Sequence, residues 1–240
     1  MPRTYEQTIE IDAPADAVWK AIAESQGIES WFAPQARVEP GVGGKIWVSW
    51  GPECEGESRI ESWEPDRKLR YAFERPNGSG PNIVEFAIEA RDGAHTTLRL
   101  VNSGFGDDGS FDAELETTSH AWGLFLFLLK YGAEKVYTAC RNISILKMIP
   151  LQHRDALLRI AATLKTEGEQ LYWDPFGEAC FELPGMGGSL VAIFCEPSGD
   201  SSMVTVAALL YDADATREQT VRGLVEALFE NVQVTAASGA

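Results

Sequence analysis

The chain is poor in the residues on which most site chemistry is built. Of 240 residues, three are histidine (His95, His120, His153) and four are cysteine (Cys54, Cys140, Cys180, Cys195). No two cysteines form a C-x-x-C pair and no histidine lies at ligand spacing from any of them, so neither a metal nor a cofactor is expected. The cysteines read as small buried hydrophobes in a reduced, cytoplasmic protein, and the opening MPRTYEQTIE has no apolar signal core. G-x-S-x-G, H-E-x-x-H and a phosphate-binding glycine loop are all missing. Basic residues are outnumbered, 20 against 36 acidic, for a formal charge of −16. That repels nucleic acid and anionic lipid surfaces, so neither is an expected partner. Apolar runs are short too: Leu124–Leu129 spans six residues, against the roughly 20 a membrane helix needs.

What is present is apolar patterning. Tyr5–Ile11 alternates, with Gln7, Ile9 and Ile11 on one face, as a half-buried strand does. Asp12-Ala13-Pro14 stops it, Asp16 offers a cap for a helix over Ala17–Ala23, and a second helix fits Gln26–Phe32 before Pro34. A hairpin turn at Gly41–Gly44 then introduces strands at Lys45–Trp50, Glu55–Trp63, Lys68–Glu74, Asn82–Ala90 and His95–Ser103, with an exposed loop at Pro76–Pro81. The set closes on a helix, Ser119–Tyr131 with a run-in from Phe111, for which Thr117, Thr118 and Ser119 offer caps and Gly132 a stop. Leu115, Trp122, Leu126 and Leu129 form one stripe, while Leu124, Phe127, Leu128 and Tyr131 cover the other side; a helix apolar all round is buried all round. Two readings stay open: the helix fills a core, or the sheet wraps it and leaves a cavity. Strand 55–63 is ambiguous as well. Arg59 and Glu61 face inward if Trp63 does, and face solvent if Ile60 points inward. The solvated arrangement is expected, because burying the charged pair is costly.

The order β-α-α-β-β-β-β-β-β-α, an antiparallel sheet with its helices on one face, is an α+β architecture. The stretches IDAPADAVWKAI (11–22), IESWFAP (28–34), GGKIWV (43–48), WEPDRKLRYAF (63–73), TLRLVNSGF (97–105) and AWGLFLFLLKY (121–131) follow one another as in START-like (SRPBCC) helix-grip domains. Within that superfamily the chain to about residue 135 is most similar to bacterial proteins related to the activator of heat-shock-protein-90 ATPase. One departure is that Ala121 precedes Trp122 where the family usually carries glycine. The resemblance implies a sheet gripping the long helix. It does not fix an activity, because the superfamily hosts lipid carriers, cyclases, hydrolase-like enzymes and co-chaperones.

The second half, residues 140–233, reads β-α-β-β-β-α. It comprises strand Arg141–Ile149, helix Leu151–Leu164, a turn-rich connection Gly168–Gly177, strands Glu178–Leu183, Leu190–Cys195 and Met203–Tyr211, and a last helix capped by Asp214 or Thr216 and running to Val232. DAVWKAIA (16–23) and DALLRIAA (155–162) both open a helix after a strand and a proline. The half is therefore either a shortened, diverged copy of the first or an unrelated α+β piece. Residues 234–240 read as a flexible tail. The outer helix face Leu124, Phe127 and Leu128 would receive the second half, in one chain or across a homodimer.

Three functions are carried forward. The first is non-enzymatic binding of an apolar or aromatic small molecule between sheet and helix. Its lining would come from Trp31 and Phe32 after the short helices, from Trp50, Tyr71, Phe73 and Phe86 on the strands, and from Leu98, Leu100 and Asn102 on the last strand. Trp122, Phe125, Leu126 and Leu129 of the helix would complete it. The second, implied by the resemblance alone, is a co-chaperone-like module acting on heat-shock protein 90. The third is a cyclase- or hydratase-like enzyme in the same cavity, with Arg59, Glu61 or His120 as the titratable group; no catalytic residue is assigned. His95 and His153 are expected to be solvated.

Overall fold

Alternation at the N-terminus produces a strand in the computed structural model: β1 (Arg3–Ile11) keeps Tyr5, Gln7 and Ile9 half-buried and Glu6, Thr8 and Glu10 exposed. The structure describes all residues except 1–2, 53, 76–77, 108, 136–138 and 238–240, and the side chains of 233–237; part of the expected exposed loop and the end of the expected tail thus lie outside the described residues. Contacts divide the chain into two units, Met1–Ser119 with Phe125–Val136, and His120–Leu124 with Tyr137–Ala240.

In the first unit β1 is followed by α1 (Ala15–Ala23), α2 (Ser25–Glu29), β2 (Gln35–Glu39), β3 (Lys45–Gly51), β4 (Cys54–Glu64), β5 (Lys68–Glu74), β6 (Pro81–Ala90), β7 (Thr96–Phe105) and the long α3 (Asp112–Glu134). The seven strands form one antiparallel sheet in the order β1-β7-β6-β5-β4-β3-β2. Pro14, not Asp16, is the N-cap of α1; its carbonyl accepts from the Ala17 and Val18 amides, and Asp16 pairs instead with Lys20. The long helix starts at Asp112, so Thr117, Thr118 and Ser119 are interior rather than capping, and Ser119 Oγ bonds back to the Glu116 carbonyl at 2.7 Å.

Two bulges decide which side chains the sheet turns inward. In β4 the pairing shifts between Ile60 and Ser62, leaving Glu61 as the extra residue. Ile60 and Trp63, of opposite parity, therefore both point in: Ile60 is buried, and Trp63 meets Trp19 edge-on at 5.0 Å. Arg59 and Glu61 are exposed, and Glu61 bonds Arg70 at 2.7 Å. In β7 the pairing with β1 skips Gly104, whose φ of +97° accommodates the extra residue, and Phe105 comes back to the inner face fully buried. Leu98 and Leu100 beside it are at 0 % exposure. Leu100→Ala is therefore expected to lower unfolding free energy by about 2–5 kcal/mol in denaturant titration; a loss under about 1 kcal/mol would show that this face is loosely packed.

The second unit contains β8 (Cys140–Ile149), α4 (His153–Glu167), β9 (Glu169–Asp174), β10 (Glu178–Leu183), β11 (Ser189–Ser198), β12 (Ser201–Tyr211) and α5 (Ala215–Ala237). Asp214 caps α5 through the Arg217 amide at 2.8 Å. Leu157, Ile160 and Leu164 of α4 pack with Val221, Val225 and Phe229 of α5 and with the sheet residues Phe181, Ile193 and Val206 in one core. The region expected to be a connection, Gly168–Gly177, contains the edge strand β9, so the order is β-α-β-β-β-β-α and the sheet has five strands. Its order, β8-β12-β11-β10-β9, pairs the first strand with the last and then runs backwards through the chain. The first unit winds the same way with two more strands and one more helix.

Candidate functional site

In the first unit the inner face carries an aromatic wall. Trp31 is held by its indole N–H, which donates to the Ala21 carbonyl at 2.9 Å. Phe32 sits at the centre, with ring centroids 5.1 Å from Trp31, 5.0 Å from Trp50 and 4.7 Å from Phe125. Trp31 also meets Phe86 at 6.4 Å and Phe125 at 6.3 Å, both edge-on. Trp31, Phe86, Leu98, Leu100, Leu126 and Leu129 are sealed, whereas Phe32, Trp50, Tyr71, Phe73 and Phe125 stay half-buried. Burial pushes the Tyr71 hydroxyl well above the usual phenol range, so it remains a neutral donor at ordinary pH. Asn102 is buried, and its amide nitrogen donates to the Asn82 side chain and to the Ile83 carbonyl, inside the sheet. Trp122 is buried but falls in the segment that groups with the second unit. On the outer side of α3, Leu124 and Leu128 are buried and Phe127 is half-buried.

A cleft of about 530 Å³ opens at one end of the β6–β7 pair, lined by Ser79, Gly80, Pro81 and Ile83 on one side and by Gly104–Asp107 on the other. None of the residues expected from sequence to line a cavity borders it. Its rim is organised by Arg75, a residue sequence reasoning missed. One guanidinium nitrogen donates to the carbonyls of Gly80 and Gly104, each at 3.1 Å, and the other two donate to Glu114 at 3.0 and 2.7 Å. The guanidinium also lies near the faces of Phe105 and Phe111, at 5.6 and 5.1 Å. A lone Arg before a proline carries no pattern from which this role could be read.

The second unit holds a polar cluster. His120 Nδ1 lies 2.7 Å from Asp174 Oδ2, and its ring stacks on Phe176 at 4.2 Å and 5°. Asp174 Oδ1 accepts the Phe176 amide at 2.9 Å. Across the turn, Glu178 is directly opposite Asp174 in the β9–β10 register. Glu178 is fully buried, and neither carboxylate oxygen has a hydrogen-bond partner. Burial first, then the charge of Asp174, raises its carboxyl to about 8; the Gly177 backbone opposes this and the charge of Glu196 adds least. His153, expected to be solvated, is half-buried with both ring nitrogens covered and its ring 5.1 Å from Phe176. The β9–β10 turn places the Phe176 ring next to the imidazole and covers it. His95 is exposed and paired with Asp92, which raises its pKa. None of the four cysteines is in a disulfide among the described residues: Cys180 and Cys195 are buried and Cys54 and Cys140 half-buried.

The long helix held by a seven-stranded meander whose first strand closes on its last defines a START-like helix-grip protein. The chain belongs to the family described as activator of Hsp90 ATPase homolog 1-like proteins, whose profile matches residues 12–131, half of its length. No curated protein matches the sequence. Among solved structures, the Aha1 dimer from Colwellia psychrerythraea is 18% identical, with 55% of this chain and 96% of that chain covered and a TM-score of 0.48. Protein MLL2253 from Mesorhizobium loti is 22% identical, covering 54% and 95% with a TM-score of 0.47. DynU16, from the dynemicin biosynthetic locus, is 16% identical and covers 98% and 97%, with a TM-score of 0.45. Among the described residues no helix is long and apolar enough to cross a membrane.

Proposed function

We propose that the helix-grip unit is a non-enzymatic receptor for an apolar or aromatic small molecule, working in the cytoplasm. The observation that carries this is the half-buried aromatic wall. Phe32, Trp50 and Phe125 are in mutual contact through Phe32, and Tyr71 and Phe73 are likewise incompletely covered. Aromatic rings that a fold leaves partly wet are surfaces on which a flat apolar ligand gains area at low entropic cost. Tyr71 supplies a neutral hydroxyl to orient it. The exposure of Arg59 and Glu61 removes two of the three groups on which an enzymatic reading of the same cavity relied. A panel of fatty acids and polycyclic aromatics, followed by thermal melting and tryptophan fluorescence, is expected to yield a saturable stabilisation of about 2.7 kcal/mol at a hundredfold excess over Kd. Trp50→Ala should abolish it without unfolding the chain. If no member of the panel binds, or if binding survives in Trp50→Ala, the reading is wrong. Family membership supports a chaperone as a further partner; stimulation of a heat-shock-protein-90 ATPase by the full chain is the corresponding assay.

A further inference from the structure

We propose that His120, Asp174 and Glu178 form a binding site for one divalent transition-metal cation, a site independent of the aromatic wall. The donor atoms of the three residues, one imidazole nitrogen and two carboxylate oxygens, all lie within 4.8 Å of one another. All three belong to the second unit, His120 through the helical segment His120–Leu124.

The arrangement is difficult to understand without a cation. Asp174 and Glu178 stand directly opposite one another across a tight β9–β10 turn, a pairing that like charges disfavour. Glu178 is also wholly removed from solvent, with both oxygens lacking a hydrogen-bond partner. A buried carboxylate in that state is expensive unless a proton or a positive charge joins it. No lysine or arginine pairs with Asp174 or Glu178 among the ion pairs of the described residues; the partner of Asp174 there is the His120 imidazole.

The other two donors are already held in place. The Phe176 amide fixes Asp174 Oδ1 and so directs Oδ2 toward His120. The Phe176 ring, stacked on His120, fixes the imidazole plane. Such outer contacts are what orient ligands at metal centres. Three protein ligands of this kind leave further positions open to water or a small anion. One nitrogen with two carboxylate oxygens suits zinc, cobalt(II) or manganese(II), while magnesium disfavours the imidazole. On binding, the cation replaces the His120–Asp174 hydrogen bond, and any proton held by the cluster leaves to solvent.

The test uses the full chain stripped with chelator. Zn²⁺ and Co²⁺ are titrated calorimetrically and by the visible absorption of bound Co²⁺, with Mg²⁺ as the control. One equivalent is expected, with a rise in Tm. Glu178→Gln and His120→Ala should each weaken binding at least a hundredfold. Glu178→Gln preserves shape and cannot ionise, so metal-free it should melt no lower than the native chain; lost binding then cannot be ascribed to unfolding. Absence of binding overturns the site, as does binding that is unchanged in both variants.

Discussion

Raising the pH from 5 to 8 is expected to lower the stability of the metal-free chain by a few kcal/mol, and Glu178→Gln should remove most of that loss. The carboxyl of Glu178 titrates near 4.5 when solvated and at about 8 in the fold. At pH 5 the folded chain holds this proton while the unfolded chain is releasing it, so each further pH unit favours unfolding by up to about 1.4 kcal/mol. The stabilisation is complete below the unfolded pKa and is lost as the pH rises through the folded one; above 8 both states are ionised and the curve flattens. Asp174 and Glu196 face Glu178 with negative charge and add to the shift, and the His120 ring pairs with Asp174. Glu196 is itself raised by burial and contributes in the same direction. Glu6 and Asp16, lowered by Arg99 and Lys20, and Asp92, lowered first by the Ala94 amide and then by His95, act oppositely but only at more acid pH, which is why the window starts at 5. Urea titrations at pH 5, 6, 7 and 8 with chelator present check this. Parallel pH dependences for the native chain and Glu178→Gln would show that Glu178 is not the group responsible.

The fold was legible where the sequence obeys a simple period. β1, β5 and β6 alternate cleanly, and α3 is apolar on every side. The bulges were not legible, because a bulge is a property of two paired strands; β4 alone shows only that Ile60 and Trp63 have conflicting parity. That conflict was the available signal, and it left the orientation of Arg59 and Glu61 open. β9 was hidden for a different reason. It is a short edge strand of six residues between Gly168 and the Pro175-Phe176-Gly177 turn, and glycine and proline dominate its surroundings. Missing it hid the polar cluster too. Once β9 and β10 are a hairpin, Asp174 and Glu178 become cross-strand neighbours; read as a connection, they are two unremarkable acids. His120 lies more than fifty residues away on a helix, so no spacing rule joins it to them. The aromatic residues of the wall could be named from alternation, but which of them stay wet depends on three-dimensional packing.

Gly104→Ala is expected to cost more than about 3 kcal/mol and to collapse the cleft at the end of β6–β7. Two effects add. The φ of +97° is one that a side-chain-bearing residue adopts only with strain, about 1–3 kcal/mol. A Cβ there would also stand 2.1 Å from the Pro81 carbonyl oxygen and 3.2 Å from its carbon. That neighbour is backbone, and it cannot swing away as a side-chain tip would. Separating the strands would disturb the bulge that turns Phe105 inward and the Gly104 carbonyl to which the Arg75 guanidinium donates, so the rim would loosen with the core. Gly78→Ala separates the two contributions. Its φ is +72° but nothing lies within 4 Å of the new Cβ, so it carries strain alone and should cost about 1–2 kcal/mol. Denaturant titration of both variants gives the difference. Equal losses at the two positions would mean that the close approach of β6 at Gly104 is not what requires glycine there.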